Sequence, residues 1–318
     1  MKRLRNLAAA ALLTAVVSLN ILAFMQARTM TRFAGSDDRT ARPEELGVLE
    51  KAAVLLSGVR LVRHRNNRTP ADLRLSFSTH HYPNRDGLTL EAWHVAGRDD
   101  RPLVVLFHGY AANKSTLLTT ARVFHDLGYE TLLVDFYGSG GSSGNGTTIG
   151  VKEAEDIVAT ADFIKRNWPK RKFVLYGISM GGAAVLRAIA AHGVKPDAII
   201  VEATFGSLLD TARKRFQSMG LPGSPLAELL LFWGSVQQGF NFFSHNPVDY
   251  ANSVHFPALV LHGEKDNRAT PAQARALASS MGKHGKVIVY PDVPHVPIVE
   301  ARPLEWQRDV ERFLIRLR

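Results

Sequence analysis

Five consecutive residues, Gly177-Ile178-Ser179-Met180-Gly181, fit the pattern Gly-x-Ser-x-Gly. This pattern is typical of a sharp turn between a strand and a helix that exposes a serine hydroxyl at the edge of a sheet. An apolar run at 173–176 precedes the turn, and a stretch of small residues with helical character follows it. Ser179 is therefore the predicted nucleophile.

A second match to the same pattern spans 140–144 and centres on Ser142. It lies in a glycine-rich stretch, 138–146, and no helical pattern begins until about residue 150. We therefore interpret Ser142 as a flexible loop residue near the site. The stretch is not a dinucleotide site either, since Ser143 stands where the fingerprint requires a third glycine or alanine.

A serine hydroxyl is a weak nucleophile at neutral pH and needs a base within hydrogen-bond reach. Chemistry in open α/β sheets gathers at the carboxyl ends of the strands. Two histidines lie in the last part of the chain, after the apolar run 258–261 and the loop that follows it. Only His295 follows the next apolar run, 287–290, whereas His284 precedes it. His295 is the predicted base.

The base must in turn be oriented by a carboxylate. Asp266 stands just past the carboxyl end of the apolar run 258–261 and is the predicted acid. Glu264 in the same loop is the alternative, and Asp292 is interpreted as part of a solvated turn. The predicted triad is Ser179, Asp266 and His295.

Acyl transfer also needs backbone donors for the oxyanion. The N–H of Met180, directly after the nucleophile, is one predicted donor. The other is the N–H of Tyr110, because His108-Gly109 follows the apolar run 103–107 and glycine lets the chain approach closely. His108 itself is interpreted as a hydrogen-bonded structural residue.

From residue 72 onward, short apolar runs alternate with amphipathic stretches of helical length, which indicates an α/β fold with a mostly parallel, eight-stranded sheet flanked by helices. The predicted strands are 73–78, 88–95, 103–107, 131–134, 173–176, 198–201, 258–261 and 287–290. The predicted helices are near 115–127, 151–167, 181–192, 206–218, 271–282 and 303–316. Six aromatic residues fall within 216–243, so a small helical lid insert is expected at about 206–250, with packing of these rings in the core as the alternative.

The segment between Arg5 and Arg28 contains no charged residue and is rich in Leu, Ala and Val. Its length suits the roughly 30 Å hydrocarbon layer of a membrane. Residues 1–35 are predicted to be a signal-anchor or transmembrane helix; a cleaved secretory signal and a buried core helix are the alternatives. We expect the catalytic domain, 72–318, to lie in the periplasm of a bacterium, anchored to the inner membrane, or to be secreted or periplasmic if the segment is cleaved.

The chain carries 39 Lys and Arg against 29 Asp and Glu, a formal net charge of +10. Residues 1–71 hold twelve of the basic and five of the acidic residues, so the excess indicates a membrane surface rather than nucleic acid. Residues 36–71 form a basic juxtamembrane segment, whose arginines either attract anionic headgroups or form a solvated helix face. The chain has no cysteine, which excludes a thiol nucleophile and cysteine metal sites. No cofactor and no metal are expected.

The motifs occur in the order strand-His-Gly, Gly-x-Ser-x-Gly, strand-His-Gly-x-x-Asp and a late His, and the sequence resembles the α/β-hydrolase superfamily of serine hydrolases. The segments Phe77-x-Thr79, Asp86-Gly87-Leu88 and Asn246-Pro247 are similar to those of a branch of bacterial membrane-associated hydrolases and their eukaryotic relatives. This resemblance implies ester or thioester substrates. The expected binding partner is a small-molecule or lipid-like ester. Pro294 stands where the family usually has glycine before the histidine.

The predicted activity is therefore that of an esterase, lipase or thioesterase with an acyl-enzyme intermediate. A serine peptidase or amidase is one alternative, with Glu202 holding a substrate amine. A non-catalytic, membrane-tethered binding module on the same fold is the other.

Overall fold

The computed structural model describes residues 1–34, 40, 47–98 and 100–317. Residues 36–39 and 41–46 of the predicted juxtamembrane segment lie outside the described residues. The chain divides into two compact units, the smaller formed by 1–62 with 208–245 and the larger by 63–207 with 246–318. The predicted insert thus shares a unit with the N-terminal helix, and residues 63–71 belong to the larger unit.

The strands and helices are numbered in chain order. The α-helices are α1 (Lys2–Thr31), α2 (Val48–Ser57), α3 (Leu118–Asp126), α4 (Glu153–Asn167), α5 (Met180–His192), α6 (Leu208–Ser218), α7 (Leu226–Gln238), α8 (Pro247–Ala251), α9 (Pro271–Ser280), α10 (Ile298–Ala301) and α11 (Pro303–Leu314). The strands are β1 (Phe33–Ala34), β2 (Leu61–Val62), β3 (Phe77–Pro83), β4 (Thr89–Val95), β5 (Leu103–Phe107), β6 (Thr131–Val134), β7 (Phe173–Ile178), β8 (Ala198–Glu202), β9 (Ala258–Gly263) and β10 (Gly285–Tyr290).

The larger unit is built on an eight-stranded sheet of order β10-β9-β8-β7-β5-β6-β4-β3. Strands β5 to β10 run parallel, while β4 pairs antiparallel with both β3 and β6. The predicted α/β fold with a mostly parallel sheet is confirmed. All five residues of β5 are buried, as expected for a central strand covered on both faces.

Helices cover the two faces of this sheet and form two apolar cores. One core joins the sheet to α4, α5 and α9 through residues such as Ile157, Ala184 and Leu277. The other joins it to α3 and α11 through Phe124 and Trp306, whose rings lie 5.4 Å apart. The sheet therefore holds the loops at the carboxyl ends of its parallel strands on a rigid support.

The first strand of the sheet lies further along the chain than predicted. We expected it at 73–78, but residues 70–73 form a 3₁₀ turn that begins with Pro70, and Arg74 has a left-handed backbone with φ 58°. Leu75 is buried because it packs into the core from this turn and the bend after it. Leu75, which suggested a strand, is therefore a core residue that follows a turn.

In the smaller unit, α1 packs against α7. Ala23, Ala27 and Thr31 are the buried residues of α1, and the rings of Phe24 and Trp233 meet edge to face at 5.4 Å. An 18-residue window of α1 has a mean hydropathy of 2.2 and contains no buried residue. By length and composition, α1 is able to cross a membrane, as the sequence predicted.

Candidate active site

Ser179 lies at the turn between β7 and α5. Its backbone has φ 53° and ψ −114°, a conformation that non-glycine residues adopt only when their surroundings enforce it. Its N–H donates a 2.7 Å hydrogen bond to the backbone oxygen of Glu202 on β8. The half-buried Ser179 is thus held at the carboxyl end of the sheet, in the geometry that the motif predicts.

The glycines beside Ser179 are required by close backbone approach. A Cβ on Gly177 would lie 2.5 Å from the backbone of Gly181, and a Cβ on Gly181 would lie 2.5 Å from the backbone oxygen of Phe107. Real Cβ atoms essentially never come this close to backbone atoms. The turn can therefore form only with glycine at both positions.

His295 and Asp266 lie in loops that follow β10 and β9, and the structure brings them together. The Nδ1 of His295 lies 2.6 Å from the Oδ2 of Asp266. The other carboxylate oxygen, Oδ1, accepts hydrogen bonds of 2.9 Å and 3.0 Å from the N–H groups of Arg268 and Ala269. Because Asp266 is buried and held at both oxygens, it can fix the orientation of the half-buried imidazole.

The alternative carboxylates face elsewhere. Glu264 is exposed, and its Oε2 accepts a 3.3 Å hydrogen bond from the N–H of Asp292. Asp292 forms a 2.6 Å ion pair with Lys265, and both side chains are exposed. Of the three carboxylates considered, Asp266 is the one that the structure pairs with His295.

The loop with Tyr110 approaches the nucleophile. A Cβ placed on Gly109 would lie 3.6 Å from the Cβ of Ser179, so residues 109–110 and the start of α5 at Met180 lie close to one another. His108 is buried, with Nδ1 2.8 Å from the oxygen of Gly109, and its Nε2 accepts from the N–H of Phe136 at 3.2 Å. Burial lowers the pKa of His108, which suits the neutral structural histidine that the sequence indicated.

Ser142 is not the flexible loop residue that we expected. It is fully buried, its Oγ donates to the backbone oxygen of Asp135 at 2.7 Å, and it accepts from the N–H of Glu91 at 2.8 Å. The guanidinium of Arg63 donates to the backbone oxygens of Gly140, Gly144 and Ser142. The glycine-rich stretch is therefore an ordered part of the larger unit.

Beside this stretch lies a buried cation, Lys114, whose burial the sequence did not predict. Lys114 is fully buried and pairs with Asp135 and with Glu91, while its ammonium lies 4.3 Å from the ring centre of Trp93. Burial raises the pKa of Asp135, but the charge of Lys114 and the hydrogen bonds from Lys114 and Asn66 outweigh burial and leave the pKa below its ordinary value. The ion pair thus holds an ionised carboxylate in the interior.

Glu202 has a role that the sequence did not reveal. Its fully buried carboxylate accepts hydrogen bonds from the N–H of Ile298 at 2.7 Å, the indole of Trp306 at 2.8 Å and the hydroxyl of Tyr176 at 2.9 Å. Burial raises the pKa of Glu202, opposed by these three donors. Ile298 begins α10, three residues after His295, so Glu202 links the nucleophile turn to the histidine loop. A side chain enclosed in this way does not reach a substrate amine.

Comparisons with known proteins find similarity to hydrolases. The profile of the family described as Hydrolase_4 (serine aminopeptidase, S33) matches residues 98–247. The uncharacterized protein YqkD of Bacillus subtilis is 25% identical over 188 residues, which are 58% of this chain and 62% of that protein. The lysophosphatidylserine lipase ABHD12 of Danio rerio is 23% identical over 243 residues, 69% of this chain and 62% of that protein. The alignments thus span less than two thirds of these two relatives.

Among solved structures, an esterase of Pyrococcus furiosus superposes with a TM-score of 0.66 at 25% identity, and the match covers 80% of this chain and 96% of that one. The eight-stranded sheet, the turn at Ser179 and these similarities lead to one conclusion: the chain belongs to the α/β-hydrolase superfamily.

Proposed function

We propose that the protein is a serine hydrolase that cleaves carboxylic ester or thioester bonds through Ser179, His295 and Asp266. The observation that carries this proposal is the 2.6 Å contact between His295 and the buried Asp266. It lies at the same edge of the sheet as the turn that holds Ser179. The esterase and lipase names of the similar proteins support a hydrolytic reaction on esters.

In the proposed reaction, the Nδ1–H of His295 donates to Asp266, so that Nε2 carries the lone pair of a general base. Nε2 takes the proton of the Ser179 hydroxyl while Oγ forms a bond to the ester carbonyl carbon. The proton then passes to the leaving alcohol or thiol as its bond to the carbonyl carbon breaks. Water, activated by His295 in the same way, releases the acid and regenerates the serine.

The negative charge that develops on the carbonyl oxygen requires preorganised donors. We assign this role to the N–H groups of Met180 and Tyr110. The close approach of Gly109 to Ser179 supports the assignment, since it brings the second donor's segment to the nucleophile. Backbone donors on a helix start and a glycine-supported loop cost little reorganisation during the reaction.

We also propose that α1 anchors the enzyme in a membrane and that the substrate is a small or lipid-like ester. The length and hydropathy of α1 and its exposed apolar residues support the anchor. A relative named as a lysophosphatidylserine lipase supports a lipid-like substrate. The periplasm of a bacterium remains the compartment that we propose for the catalytic unit.

A serine peptidase or amidase is a second candidate, because the matching family profile is described as a serine aminopeptidase. The same triad would act on an amide bond. The expected amine ligand, Glu202, is enclosed by Ile298, Trp306 and Tyr176, and this burial favours the ester reaction.

The deciding experiment is labelling of the purified full-length protein with a fluorophosphonate probe, combined with hydrolysis of p-nitrophenyl esters of increasing acyl length and of aminoacyl p-nitroanilides. We expect one labelled serine and turnover of the esters, both lost in Ser179→Ala. A folded protein that takes no label would identify a non-catalytic module, and turnover of anilides alone would identify a peptidase.

A further inference from the structure

The helical insert presents an apolar surface formed by Phe232, Val236, Phe240 and Phe243. Phe232 and Val236, one turn apart on α7, are 50% and 57% exposed, and Phe243 is 37% exposed. Together with Phe240 they line an open groove of about 420 Å³. Exposed apolar side chains that cluster in this way usually mark a surface that meets another molecule or a membrane.

This insert surface is held beside the C-terminal half of α1. The indole of Trp233 donates to Asn20 at 3.1 Å, and its ring packs on Phe24. Gln237 donates to the backbone oxygen of Phe24 at 2.8 Å, and Gln238 donates to the hydroxyl of Thr31 at 3.0 Å. These contacts lie within the smaller unit and fix α7 to the helix that we propose as the anchor.

The position of these contacts along α1 sets the depth of α7. The 22 uncharged residues between Arg5 and Arg28 span about 33 Å as a helix, close to the thickness of the hydrocarbon layer. Asn20 and Phe24 lie in the last third of this span; Gln237 bonds at Phe24, and Gln238 bonds at Thr31, three residues beyond Arg28. Tryptophan is enriched at the boundary between acyl chains and headgroups, and Trp233 contacts Asn20 and Phe24, one to two turns before Arg28.

We propose that the insert's apolar surface enters the acyl-headgroup boundary of the bilayer that α1 crosses, and that its groove takes lipid acyl chains. The occupant is lipid because the exposed apolar residues continue those of α1, including Val17 and Ile21. Small residues at the contact, Ala23 and Ala27, allow the close helix packing that is common in membranes. The proposal rests on the membrane anchor of the proposed function, but not on the catalytic triad.

The chain has no cysteine, so single cysteines can be introduced and labelled selectively. We would replace Phe232, Val236 or Phe243 by Cys, attach an environment-sensitive NBD fluorophore, and reconstitute each full-length variant into vesicles of phosphatidylcholine and phosphatidylglycerol. Asp162→Cys on the exposed side of α4 serves as the control. Vesicle flotation reports the anchor, blue-shifted emission reports removal from water, and quenching by doxyl-labelled phosphatidylcholine reports contact with lipid.

We expect all variants to float and the three insert labels to show blue-shifted emission with at least twofold stronger lipid quenching than the label at residue 162. Insert labels whose emission and lipid quenching equal those of the control would overturn the proposal while leaving the anchor intact. A blue shift without lipid quenching would assign the surface to a protein contact, such as a second copy of the chain, and would also overturn it. A protein that does not float with the vesicles would contradict both the proposed anchor and the proposed insertion. Ester hydrolysis is measured in a separate assay, so this outcome leaves the proposed catalytic activity untouched.

Discussion

The Oδ2 of Asp266 lies 2.6 Å from the Nδ1 of His295, although 29 positions separate the two residues in the sequence. The carboxylate is buried, and its second oxygen is already occupied by two backbone N–H groups. The carboxylate therefore cannot rotate away from the imidazole, and this fixes both the orientation and the tautomer of His295.

Replacing Asp266 by Asn keeps the shape but presents the wrong hydrogen-bonding group to His295. In serine hydrolases such a change lowers kcat by roughly 10⁴-fold, because the imidazole adopts the wrong tautomer. We expect a loss of roughly 10³- to 10⁴-fold in the kcat for a soluble p-nitrophenyl ester. Asp292→Asn is the matched control, since its exposed carboxylate pairs with Lys265, and we expect it to retain full activity. Equal kcat values for the two variants would exclude Asp266 as the acid.

Glu202 is a positioning residue in our proposal, since its carboxylate binds the N–H of Ile298 behind His295. Glu202→Gln places an amide N–H against either the indole N–H of Trp306 or the backbone N–H of Ile298, a mismatch that costs about 1–3 kcal/mol. We expect kcat to fall about tenfold at unchanged KM, with a lower melting temperature. Glu300→Gln, on the exposed side of α10, should change none of these quantities. A lower melting temperature with wild-type kcat would reduce Glu202 to a purely structural role.

The turn at Ser179 should tolerate no Cβ at Gly177. The Cβ of Gly177→Ala would lie 2.5 Å from the backbone of Gly181, and overpacking of this kind costs about 1–3 kcal/mol or more. We expect a strong loss of thermal stability and of fluorophosphonate labelling. Gly193→Ala is the control: its site is open, with φ 68°, so it should cost about 1–2 kcal/mol and keep the label. Labelling of Gly177→Ala at the wild-type rate would contradict the observed turn.

Stability should fall in acid because of Asp135, whose pKa in the folded protein lies below its ordinary value beside Lys114. A carboxyl group whose pKa is lowered by folding contributes its full stabilisation at a pH above its pKa in the unfolded chain, which is about 3.9 for aspartate. This stabilisation is lost as the pH falls through the pKa of the group in the folded protein. We expect the melting temperature to drop below about pH 4, and to drop less steeply in Asp135→Asn, which starts from a lower value near neutrality. Parallel curves for the two proteins would assign the acid sensitivity to other groups.

A charge introduced on the insert's apolar surface should lower hydrolysis of membrane-borne substrates but not of water-soluble ones. Phe232→Glu removes the burial of one aromatic side chain in lipid, about 2 kcal/mol. We expect hydrolysis of a vesicle-borne lysophospholipid to fall by roughly 10-fold or more, while hydrolysis of a water-soluble ester stays at the wild-type level. Leu304→Glu adds the same negative charge at an 80% exposed apolar position of α11 and is the control for charge alone. A parallel loss on both substrates would show that the substitution disturbs folding rather than membrane contact.

Much of the fold can be predicted from the sequence, because parallel strands buried on both faces appear as short, continuous apolar runs. β5 and β6 were predicted to the residue. The edge strand β3 was displaced because one face is exposed and its pattern is weak. Leu75 in the preceding turn supplied a stronger apolar signal, although it belongs to the core rather than to a strand.

The candidate site was predictable where a motif fixes geometry over a few residues, as at Ser179, or where a residue directly follows a strand, as with Asp266. Contacts between distant segments were not predictable. Ser142 and Lys114 have polar side chains that normally indicate exposure, and only their partners in the folded chain explain their burial. The packing of α7 on α1 likewise joins residues more than 200 positions apart.

The hydrogen bonds of Arg63 bear on how a shortened protein should be cut for crystallisation or for assays without detergent. The motifs alone would suggest a first residue near 72. Such a fragment lacks the guanidinium that binds three backbone oxygens of the glycine-rich stretch, and it lacks Asn66, which donates to Asp135 at 2.8 Å. A fragment that starts shortly before residue 63 and replaces residues 208–245 by a short connection would keep every one of these bonds while removing the exposed apolar residues of α1 and of the insert.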